Sequence, residues 1–173
     1  MIDFLIESSN KLQNIKILTP NYSSDKRGYI FTSYYEKKLN KVLSKKLNFI
    51  HDKFSYSKKN VLRGLHGDPK SWKLVSCVFG EVFQVVVNYN KKSTDYLKFD
   101  TFKLTGINRK SILIPPNYLN GFYVKSQSAV YHYKLAYIGN YFDEDKQYSL
   151  KWNDKSIGIN WPVKKPILSN RDK

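Results

Sequence analysis

Three histidines are the first candidates for chemistry in this chain, because imidazole binds metals and also accepts a proton near neutral pH. They stand at His51, His66 and His132. No two of them have the close spacing of a metal site built on one strand or helix, so a metal centre would need all three from distant strands. The sequence also has no glycine-rich phosphate loop, paired-cysteine motif or Gly-x-Ser-x-Gly turn. Spacing therefore favours no bound metal, and by itself identifies no catalytic site.

The charge of the chain is strongly basic. It has 30 Lys and Arg against 14 Asp and Glu, a formal net charge of +16. Few of the basic residues are arginine, and the chain is rich in Asn, Ile and Tyr, so a lysine-heavy genome bias explains part of the excess. We interpret the charge as affinity for anions in general and only weakly as nucleic-acid binding.

The remaining composition is typical of a soluble protein from a reducing compartment, and we expect a cytoplasmic location. The single cysteine, Cys77, excludes an internal disulfide and lies in an apolar run, where a buried, inert thiol is expected. No apolar stretch approaches the roughly 20 residues of a membrane span. Residues 1–12 include Asp3 and Glu7 and no long apolar core, so they do not resemble a signal peptide. We expect one domain over residues 1–173.

Short apolar runs separated by turn residues predict an all-β fold. Runs at this spacing favour a sandwich or barrel over βαβ units. One helix is predicted near Tyr35–Leu43, where Leu39, Val42 and Leu43 share a face. The predicted strands are Ile15–Leu18, Tyr29–Ser33, Leu47–Ile50, Val61–Leu65, Lys73–Phe79, Glu81–Tyr89, Leu97–Leu104, Ser111–Ile114, Gly121–Val124 and Ala129–Ala136.

The predicted strand Glu81–Tyr89 alternates with period two. One of its faces carries Phe83, Val85, Val87 and Tyr89. The other places Gln84 and Asn88 among valines. That second face fits either the lining of a pocket inside a barrel or a solvent-facing edge, and the alternation favours neither.

A series of motifs spread in order along the chain is more informative. The motifs are Asp25-Lys26-Arg27-Gly28-Tyr29, Val61-Leu62-Arg63-Gly64-Leu65-His66, Trp72-Lys73-Leu74-Val75, Gly80-Glu81-Val82-Phe83, Ile114-Pro115-Pro116, Asn120-Gly121-Phe122, Tyr133-Lys134, Trp152-Asn153-Asp154, Ile157-Gly158-Ile159-Asn160-Trp161-Pro162 and Leu168-Ser169-Asn170-Arg171-Asp172. Together they resemble the family of dTDP-4-dehydrorhamnose 3,5-epimerases. The resemblance is collinear over residues 15–173, which makes it far more specific than any single motif.

The resemblance implies a cupin-like jelly-roll fold with one or two short helices, a homodimer, and no metal or organic cofactor. The family acts on nucleotide-linked 4-keto-6-deoxy sugars, in which the C4 carbonyl acidifies the protons on C3 and C5. A base removes a proton, an enolate forms, and an acid returns a proton to the opposite face. A positive group beside the developing oxyanion stabilises the enolate. The implied activity is therefore a cofactor-independent C3 and/or C5 epimerase.

The same motifs imply roles for individual residues. His66 matches the family's base, and Asp172 matches the carboxylate that orients it. Tyr133 matches the acid on the opposite face of the sugar, and Lys73 matches the lysine that stabilises the enolate oxygen. The positions implied to bind substrate are Arg63, Arg27, Asn120, Gln84, His51 and Thr32.

Four of those binding positions depart from the rhamnose-pathway pattern. Asn120 stands where those enzymes have His, and Gln84 where they have Asp. Thr32 and His51 replace a Glu and a Gln that help bind thymine. The loop after His66, the Trp-Lys-Leu-Val run and the Asn-Gly pair look like a subgroup that acts on GDP-linked 6-deoxy-4-keto-heptoses of bacterial capsules. We therefore predict a GDP-linked heptose substrate, with dTDP-4-dehydrorhamnose itself as the alternative.

Two other functions stay open at this point. A 3,4-ketoisomerase of the same fold would move the sugar's carbonyl through a related enediol. A non-catalytic basic β-sandwich would bind anions, nucleic acid or glycans through its net charge, with a steep salt dependence. The preferred function instead implies a nucleotide-sugar substrate and a second copy of the chain as partners, with no nucleic acid and no membrane.

Overall fold

The structure is a computed structural model, and it describes residues 3–43 and 45–173. Within these residues the chain is mostly β, as the sequence predicts. The elements in chain order are β1 (Phe4–Ser8), β2 (Lys16–Pro20), β3 (Tyr22–Asp25), β4 (Gly28–Phe31), α1 (Glu36–Leu43), β5 (His51–Lys58), β6 (Leu62–Gly67), β7 (Trp72–Phe79), β8 (Glu81–Asn88), β9 (Phe99–Thr105), β10 (Ser111–Ile114), β11 (Tyr118–Val124), β12 (Ser128–Ala136), a 3-10 turn (Glu144–Lys146), β13 (Tyr148–Ser149) and a second 3-10 turn (Asn170–Asp172).

Two antiparallel sheets pack face to face to form the sandwich. In the described residues, one sheet has six strands in the order β1-β2-β10-β7-β12-β5, and the other has five in the order β13-β6-β11-β8-β9. Neighbouring strands in space are often distant in sequence, as in the pairing of β10 with β2 and with β7. Strands β3 and β4 form a separate hairpin that pairs with neither sheet in this part of the chain. The all-β prediction is confirmed.

The interior between the sheets is filled by apolar and aromatic side chains from both of them. Burial of this kind contributes roughly 25 cal/mol per Å² of apolar surface removed from water. The fully or nearly fully buried members are Leu12, Ile15, Val75, Cys77, Val82, Val86, Leu104, Ile112, Ile114, Tyr118, Phe122, Val124, Ala129 and Tyr131.

Strand β8 is buried on both of its faces. This excludes the interpretation that the face with Gln84 and Asn88 is a solvent-facing edge. Val82 and Val86 belong to the interior between the sheets. Gln84, on the same face, is fully buried. Val85 and Val87 pack instead against the C-terminal segment that covers the outside of the five-stranded sheet.

Helix α1 covers part of the outer face of the six-stranded sheet. Leu39 is buried there, and Leu43 packs against the same cluster. Val42 does not share this contact as predicted, because it lies on the flank of a short helix and stays 48% exposed. The structure thus confirms the helix, and the face that packs on the sheet includes Leu39 and Leu43 but not Val42.

The predicted strand Leu47–Ile50 is wrong. These residues form an irregular connection in which Leu47 packs into the cluster under α1. The strand lies after them, at β5, where the exposed aromatic side chains of Phe54 and Tyr56 alternate with smaller residues. The apolar run after the helix was therefore predicted as a strand, although it forms a loop that packs against the helix.

Two expectations from composition can be compared with the structure. Cys77 is buried, as expected, and burial raises the pKa of its thiol to about 11, which disfavours the reactive thiolate at neutral pH. Among the described residues, no helix combines the length and apolar character needed to cross a membrane.

Strands β6 and β11 approach each other unusually closely at a pair of glycines. Gly64 has φ of +117°, and a Cβ added there would lie 2.5 Å from the Cα of Gly121 and 2.8 Å from the carbonyl oxygen of Asn120. The pairing register of the two strands also shifts between Asn120 and Phe122. Glycine is thus required at position 64, between the candidate site residues Arg63 and His66 of β6.

We expect Gly64→Ala to lower the free energy of unfolding by about 3 kcal/mol or more, because overpacking costs about 1–3 kcal/mol and an unfavourable φ adds about 1–2 kcal/mol. Gly139→Ala is the matched control, since Gly139 has φ of +73° with no neighbouring atom within 4 Å. Urea denaturation of both variants measures the difference. If the two variants lost equal free energy of unfolding, the contact with β11 would not be what requires glycine in β6.

Candidate active site

A pocket of about 430 Å³ brings together the residues predicted to act in catalysis and two of those predicted to bind substrate. Both sheets and the C-terminal segment line it. The predicted residues in its wall are His66, Lys73, Tyr133, Asp172, Arg63 and Asn120.

The two sheets supply different groups to this pocket. The five-stranded sheet contributes Arg63 and His66 from β6 and Asn120 from β11, where Asn120 is paired with His66. The six-stranded sheet contributes Lys73 from β7 and Tyr133 from β12. The imidazole and the phenol therefore come from facing sheets of the sandwich.

His66 and Asp172 form a hydrogen-bonded pair, with 2.6 Å between His66 Nε2 and Asp172 Oδ1. The other carboxylate oxygen accepts a hydrogen bond from the Ser169 hydroxyl at 2.8 Å. Burial works to raise the pKa of Asp172, but the hydrogen bonds from His66 and Ser169 outweigh it and lower that pKa. An ionised carboxylate only accepts hydrogen bonds, so Nε2 carries the proton. His66 Nδ1 keeps its lone pair and lies 3.2 Å from the Ser149 hydroxyl.

Tyr133 presents a phenol that holds its proton. Burial raises the pKa of Tyr133, although the positive charge of Arg63 works against this rise. Arg63 is fixed in turn by its Nε, which donates to the Ser57 hydroxyl at 3.0 Å. At neutral pH the phenol is therefore a proton donor held beside a fixed cation.

Lys73 lies between the sheets and is 7% exposed. Its ammonium group reaches the Asn120 side-chain oxygen at 3.3 Å and the His66 carbonyl oxygen at 3.4 Å. Burial lowers the pKa of Lys73 to about 8, and Asp68, with Oδ2 4.0 Å away, works in the opposite direction. The lysine thus carries much of its charge at neutral pH in a buried, polar surrounding.

The electrostatic character of the pocket is positive. Among the described residues, its lining carries four basic side chains and two carboxylates. Two of the cations, Lys53 and Arg171, were not predicted from the sequence, and Arg171 Nη2 donates to Gln147 Oε1 at 3.2 Å. The signal for Arg171 was its place beside Asp172 in a chain with little arginine. This positive lining suits an anionic ligand such as a diphosphate.

Gln84 and His51 do not line this pocket. Gln84 has no exposed surface, so the prediction that it contacts substrate is wrong; its side chain accepts a hydrogen bond from Tyr131 instead. The His51 ring lies 5.1 Å from the ring of Tyr141, a residue of the pocket wall. His51 therefore contacts a residue of the pocket wall without lining the pocket itself.

Arg27 and Thr32 lie away from the pocket of their own chain. Arg27 is at the turn of the β3–β4 hairpin, where its side chain is 84% exposed and paired with Asp25. Thr32 lines a different cavity beside the hairpin, together with Arg109. In the single chain, the predicted nucleotide-binding residues are thus separated from the catalytic ones.

The three histidines are not brought together. His132 is bonded to Asp52 on the edge of the six-stranded sheet, while His51 contacts Tyr137 and His66 contacts Asp172. Over residues 3–43 and 45–173, no group of three or more His, Cys, Asp and Glu side chains is arranged to hold a metal ion.

Comparisons with known proteins identify the relatives of this chain. The family model described as dTDP-4-dehydrorhamnose 3,5-epimerase matches residues 9–173. The curated enzyme of that name from Salmonella typhimurium is 36% identical over 172 residues, which covers 97% of this chain and 92% of the relative. The Escherichia coli enzyme is 34% identical, with coverage of 94% and 88%.

Solved structures show the same relationship. The dTDP-6-deoxy-D-glucose-3,5-epimerase of Legionella pneumophila, in complex with dTDP-4-keto-L-rhamnose, superimposes with a TM-score of 0.91 at 32% identity over 98% of this chain and 90% of that one. A 4-keto-6-deoxy sugar epimerase from the novobiocin cluster of Streptomyces spheroides gives 0.90 at 25% identity, with coverage of 98% and 85%. The chain belongs to the dTDP-4-dehydrorhamnose 3,5-epimerase family, and it is an isomerase with that family's jelly-roll fold.

Proposed function

We propose that this enzyme inverts C3, C5 or both in a nucleotide-linked 4-keto-6-deoxy sugar, with His66 as base and Tyr133 as acid. The observation that supports this most directly is the position of the two groups on facing sheets of one pocket. Inversion requires a proton to leave one face of a carbon and another to arrive on the opposite face. A base and an acid on separate walls meet that requirement.

The first step uses the imidazole of His66. Asp172 holds Nε2 and its proton at 2.6 Å, so Nδ1 is the nitrogen that accepts a proton from carbon. The electron pair of the broken C–H bond moves into the ring and onto the C4 oxygen, which becomes an enolate. The carboxylate stabilises the imidazolium that results, and a positioned base of this kind typically contributes about 10²–10⁴-fold in rate.

The enolate oxygen then needs a positive neighbour. Lys73 is the buried cation of the pocket wall and is held by the Asn120 side chain. Removal of one such oxyanion-stabilising donor typically costs about 10²–10³-fold in kcat. In the last step, Tyr133 donates its phenolic proton to the carbon from the face opposite His66. The phenolate then regains a proton from solvent and the His66 imidazolium releases one to solvent, so proton number balances over the cycle.

The nucleotide is most consistently dTDP. The curated relatives are named as dTDP-4-dehydrorhamnose enzymes, and the Legionella pneumophila structure is a complex with a dTDP sugar. Of the four departures that led to the GDP prediction, Gln84 has no surface in the pocket. A GDP-linked 6-deoxy-4-keto-heptose stays as the second candidate, favoured by Asn120 in the pocket wall.

We also propose a homodimer in which the β3–β4 hairpin reaches the partner's pocket. The hairpin pairs with neither sheet in the described residues, and an isolated two-stranded hairpin is marginally stable in water. It exposes Tyr22, Tyr29 and Ile30, which are 54%, 53% and 75% accessible. It also carries Arg27, whose planar guanidinium suits a diphosphate. A partner that covers this apolar surface would receive the arginine in its site.

Proton NMR in D₂O tests the reaction and the nucleotide together. We expect the H3 or H5 signal of dTDP-4-keto-6-deoxy-glucose to disappear with the wild-type enzyme, because the abstracted proton is replaced from solvent. His66→Ala should abolish this exchange, since no base remains. His132→Ala is the matched control, because its ring is bonded to Asp52 outside the pocket.

The alternatives give other spectra. Exchange only with a GDP-linked 6-deoxy-4-keto-heptose would replace dTDP by GDP. A carbonyl carbon that moves from C4 to C3 would identify a ketoisomerase. Full exchange by His66→Ala would remove His66 as the base, and no exchange by the folded wild type with either sugar would contradict the epimerase assignment.

Tyr133→Phe tests the acid. We expect kcat to fall by about 10²–10³-fold at one or both carbons while KM changes little, because the lost hydroxyl acts in proton return. Steady-state kinetics with product analysis measures this split. The control is Tyr148→Phe, which removes a hydroxyl from β13 outside the pocket lining. A rise in KM with kcat unchanged would make Tyr133 a binding residue only.

Subunit mixing tests the shared site. Light scattering should give about twice the mass of the 20.4 kDa chain. Arg27→Ala and His66→Ala should each be nearly inactive, but unfolding and refolding them together should restore about a quarter of native sites, because a C2 dimer then pairs one intact pocket with one intact hairpin. Lys26→Ala controls for loss of charge at the turn. A monomer, or no recovery on mixing, would contradict the proposal.

A further inference from the structure

The loop that joins β6 to β7 holds a buried carboxylate, that of Asp68, which is 1% exposed. Its Oδ1 accepts hydrogen bonds from the backbone amides of Lys70 at 2.9 Å and Ser71 at 2.6 Å. The carbonyl oxygen of Asp68 accepts a further hydrogen bond from the backbone amide of Asn117 at 2.9 Å. Hydrogen bonds to the backbone therefore fix both the loop and the direction of the carboxylate.

The second oxygen of this carboxylate has a different surrounding. Asp68 Oδ2 is buried, and within the described residues it has no hydrogen-bond partner. It lies 4.0 Å from Nζ of Lys73, and the two side chains are 0% and 9% exposed. Over the part of the chain that the structure describes, no other carboxylate lies within 4 Å of that ammonium group. One oxygen thus closes the loop, and the other faces the lysine.

Each of these two charges would be unfavourable in the interior without the other. A charge removed from water needs an opposite charge or hydrogen bonds in place of the solvent. The hydrogen-bond acceptors of Lys73 are neutral, namely the side-chain oxygen of Asn120 at 3.3 Å and the carbonyl oxygen of His66 at 3.4 Å. Opposite charges at this separation attract each other much more strongly in a buried site than in water. The carboxylate of Asp68 is therefore the group that compensates the charge of the lysine.

We propose that Asp68 is a positioning residue, whose carboxylate keeps Lys73 protonated beside the enolate oxygen. Asp68 does not line the pocket, so it acts through the lysine and not on the sugar. The inference rests on the proposed function for the use of this charge. The contact between the two side chains does not depend on any substrate.

Other groups also act on the charge of Lys73 and stay the same in the comparison that tests this role. Burial lowers the pKa of Lys73 to about 8, and the positive charges of Arg171 and Lys53 act in the same direction, whereas Asp68 acts to raise it. The charged or titratable groups that line the pocket with the lysine are Lys53, His66, Tyr133, Tyr141, Glu144, Arg171 and Asp172. A substitution at Asp68 changes none of them.

Asp68→Asn separates the two contacts of the carboxylate. The amide oxygen of Asn can still accept from the two backbone amides of the loop, so the loop is kept while the charge that faces Lys73 is lost. Asp154→Asn is the matched control, because Asp154 Oδ1 also accepts from a nearby backbone amide, that of Ser156 at 2.8 Å, but lies outside the pocket lining. Protein labelled with ¹³C at lysine Cε is titrated by NMR without substrate, and Lys73→Arg assigns the signal.

We expect the pKa of Lys73, about 8 in the wild type, to fall by at least about one unit in Asp68→Asn, because an opposite charge at this distance typically shifts a pKa by about 1–3 units. The alkaline limb of the kcat profile for proton exchange should move to lower pH with it, since only the charged amine stabilises the enolate, while KM changes little. A residue that only shapes the loop would lower stability and move neither. Asp154→Asn should leave both unchanged.

A thermodynamic cycle keeps the proposal testable if Asp68→Asn is too unstable to titrate. Lys73→Met leaves the buried carboxylate without its cation, so it should strongly lower the free energy of unfolding of the wild type. In the Asp68→Asn background neither charge remains, and the loss caused by Lys73→Met should be clearly smaller. Urea denaturation at pH 7 of the wild type, both single variants and the double variant measures the difference.

An unchanged pKa of Lys73 in folded Asp68→Asn would overturn the proposal, as would equal losses from Lys73→Met in the two backgrounds. The titration and the cycle use no sugar, so they decide the contact even if the wild type exchanges neither substrate. Absence of exchange would then contradict the proposed function alone. A lysine pKa that moves without the kcat limb would also overturn the proposal, because the charge would not serve the reaction.

Discussion

The stacked rings of Phe122 and Tyr131 hold the two sheets together directly beneath the pocket. Their centroids are 4.1 Å apart and their planes differ by 15°, with one ring from β11 and the other from β12. Two residues before Phe122 stands Asn120, and two residues after Tyr131 stands Tyr133. Since side chains two apart share a face of a strand, this one contact sets the separation across which polar groups of both walls must meet.

The site places costly groups in the interior that this stack creates. A buried cation and a buried carboxylate are tolerated only where hydrogen bonds replace water. Lys73 has three oxygen neighbours, and Asp172 has His66 and Ser169. The pair with His66 also fixes the end of the described chain, where termini usually fray. The geometry of the proposed catalytic pair and the order of the C-terminal turn thus depend on the same hydrogen bond.

Sequence reasoning predicted most strands and the residues of the candidate site for different reasons. Strands such as β8 and β12 have long apolar or alternating patterns, which local composition reveals. The irregular stretch at Leu47–Ile50 and the polar strand β5 were misjudged because tertiary packing, not propensity, decides them. His66, Lys73 and Asp172 could be found only through a family pattern. The same family pattern assigned Gln84 to substrate binding. Its position in the sequence does not show that its side chain is buried between the sheets and has no surface in the pocket.

The departures from the family pattern fall into two physical classes. Thr32 and His51 lie at the periphery: Thr32 lines the cavity beside the hairpin, and His51 contacts Tyr141 of the pocket wall. Asn120 and Gln84 lie inside the sandwich, where the Asn120 side chain contacts Lys73 and Gln84 accepts a hydrogen bond from the Tyr131 hydroxyl. A histidine and an aspartate at these positions would each be titratable. Two amides carry no charge, so in the proposed reaction charge stabilisation of the enolate falls on Lys73, the cation that Asn120 contacts.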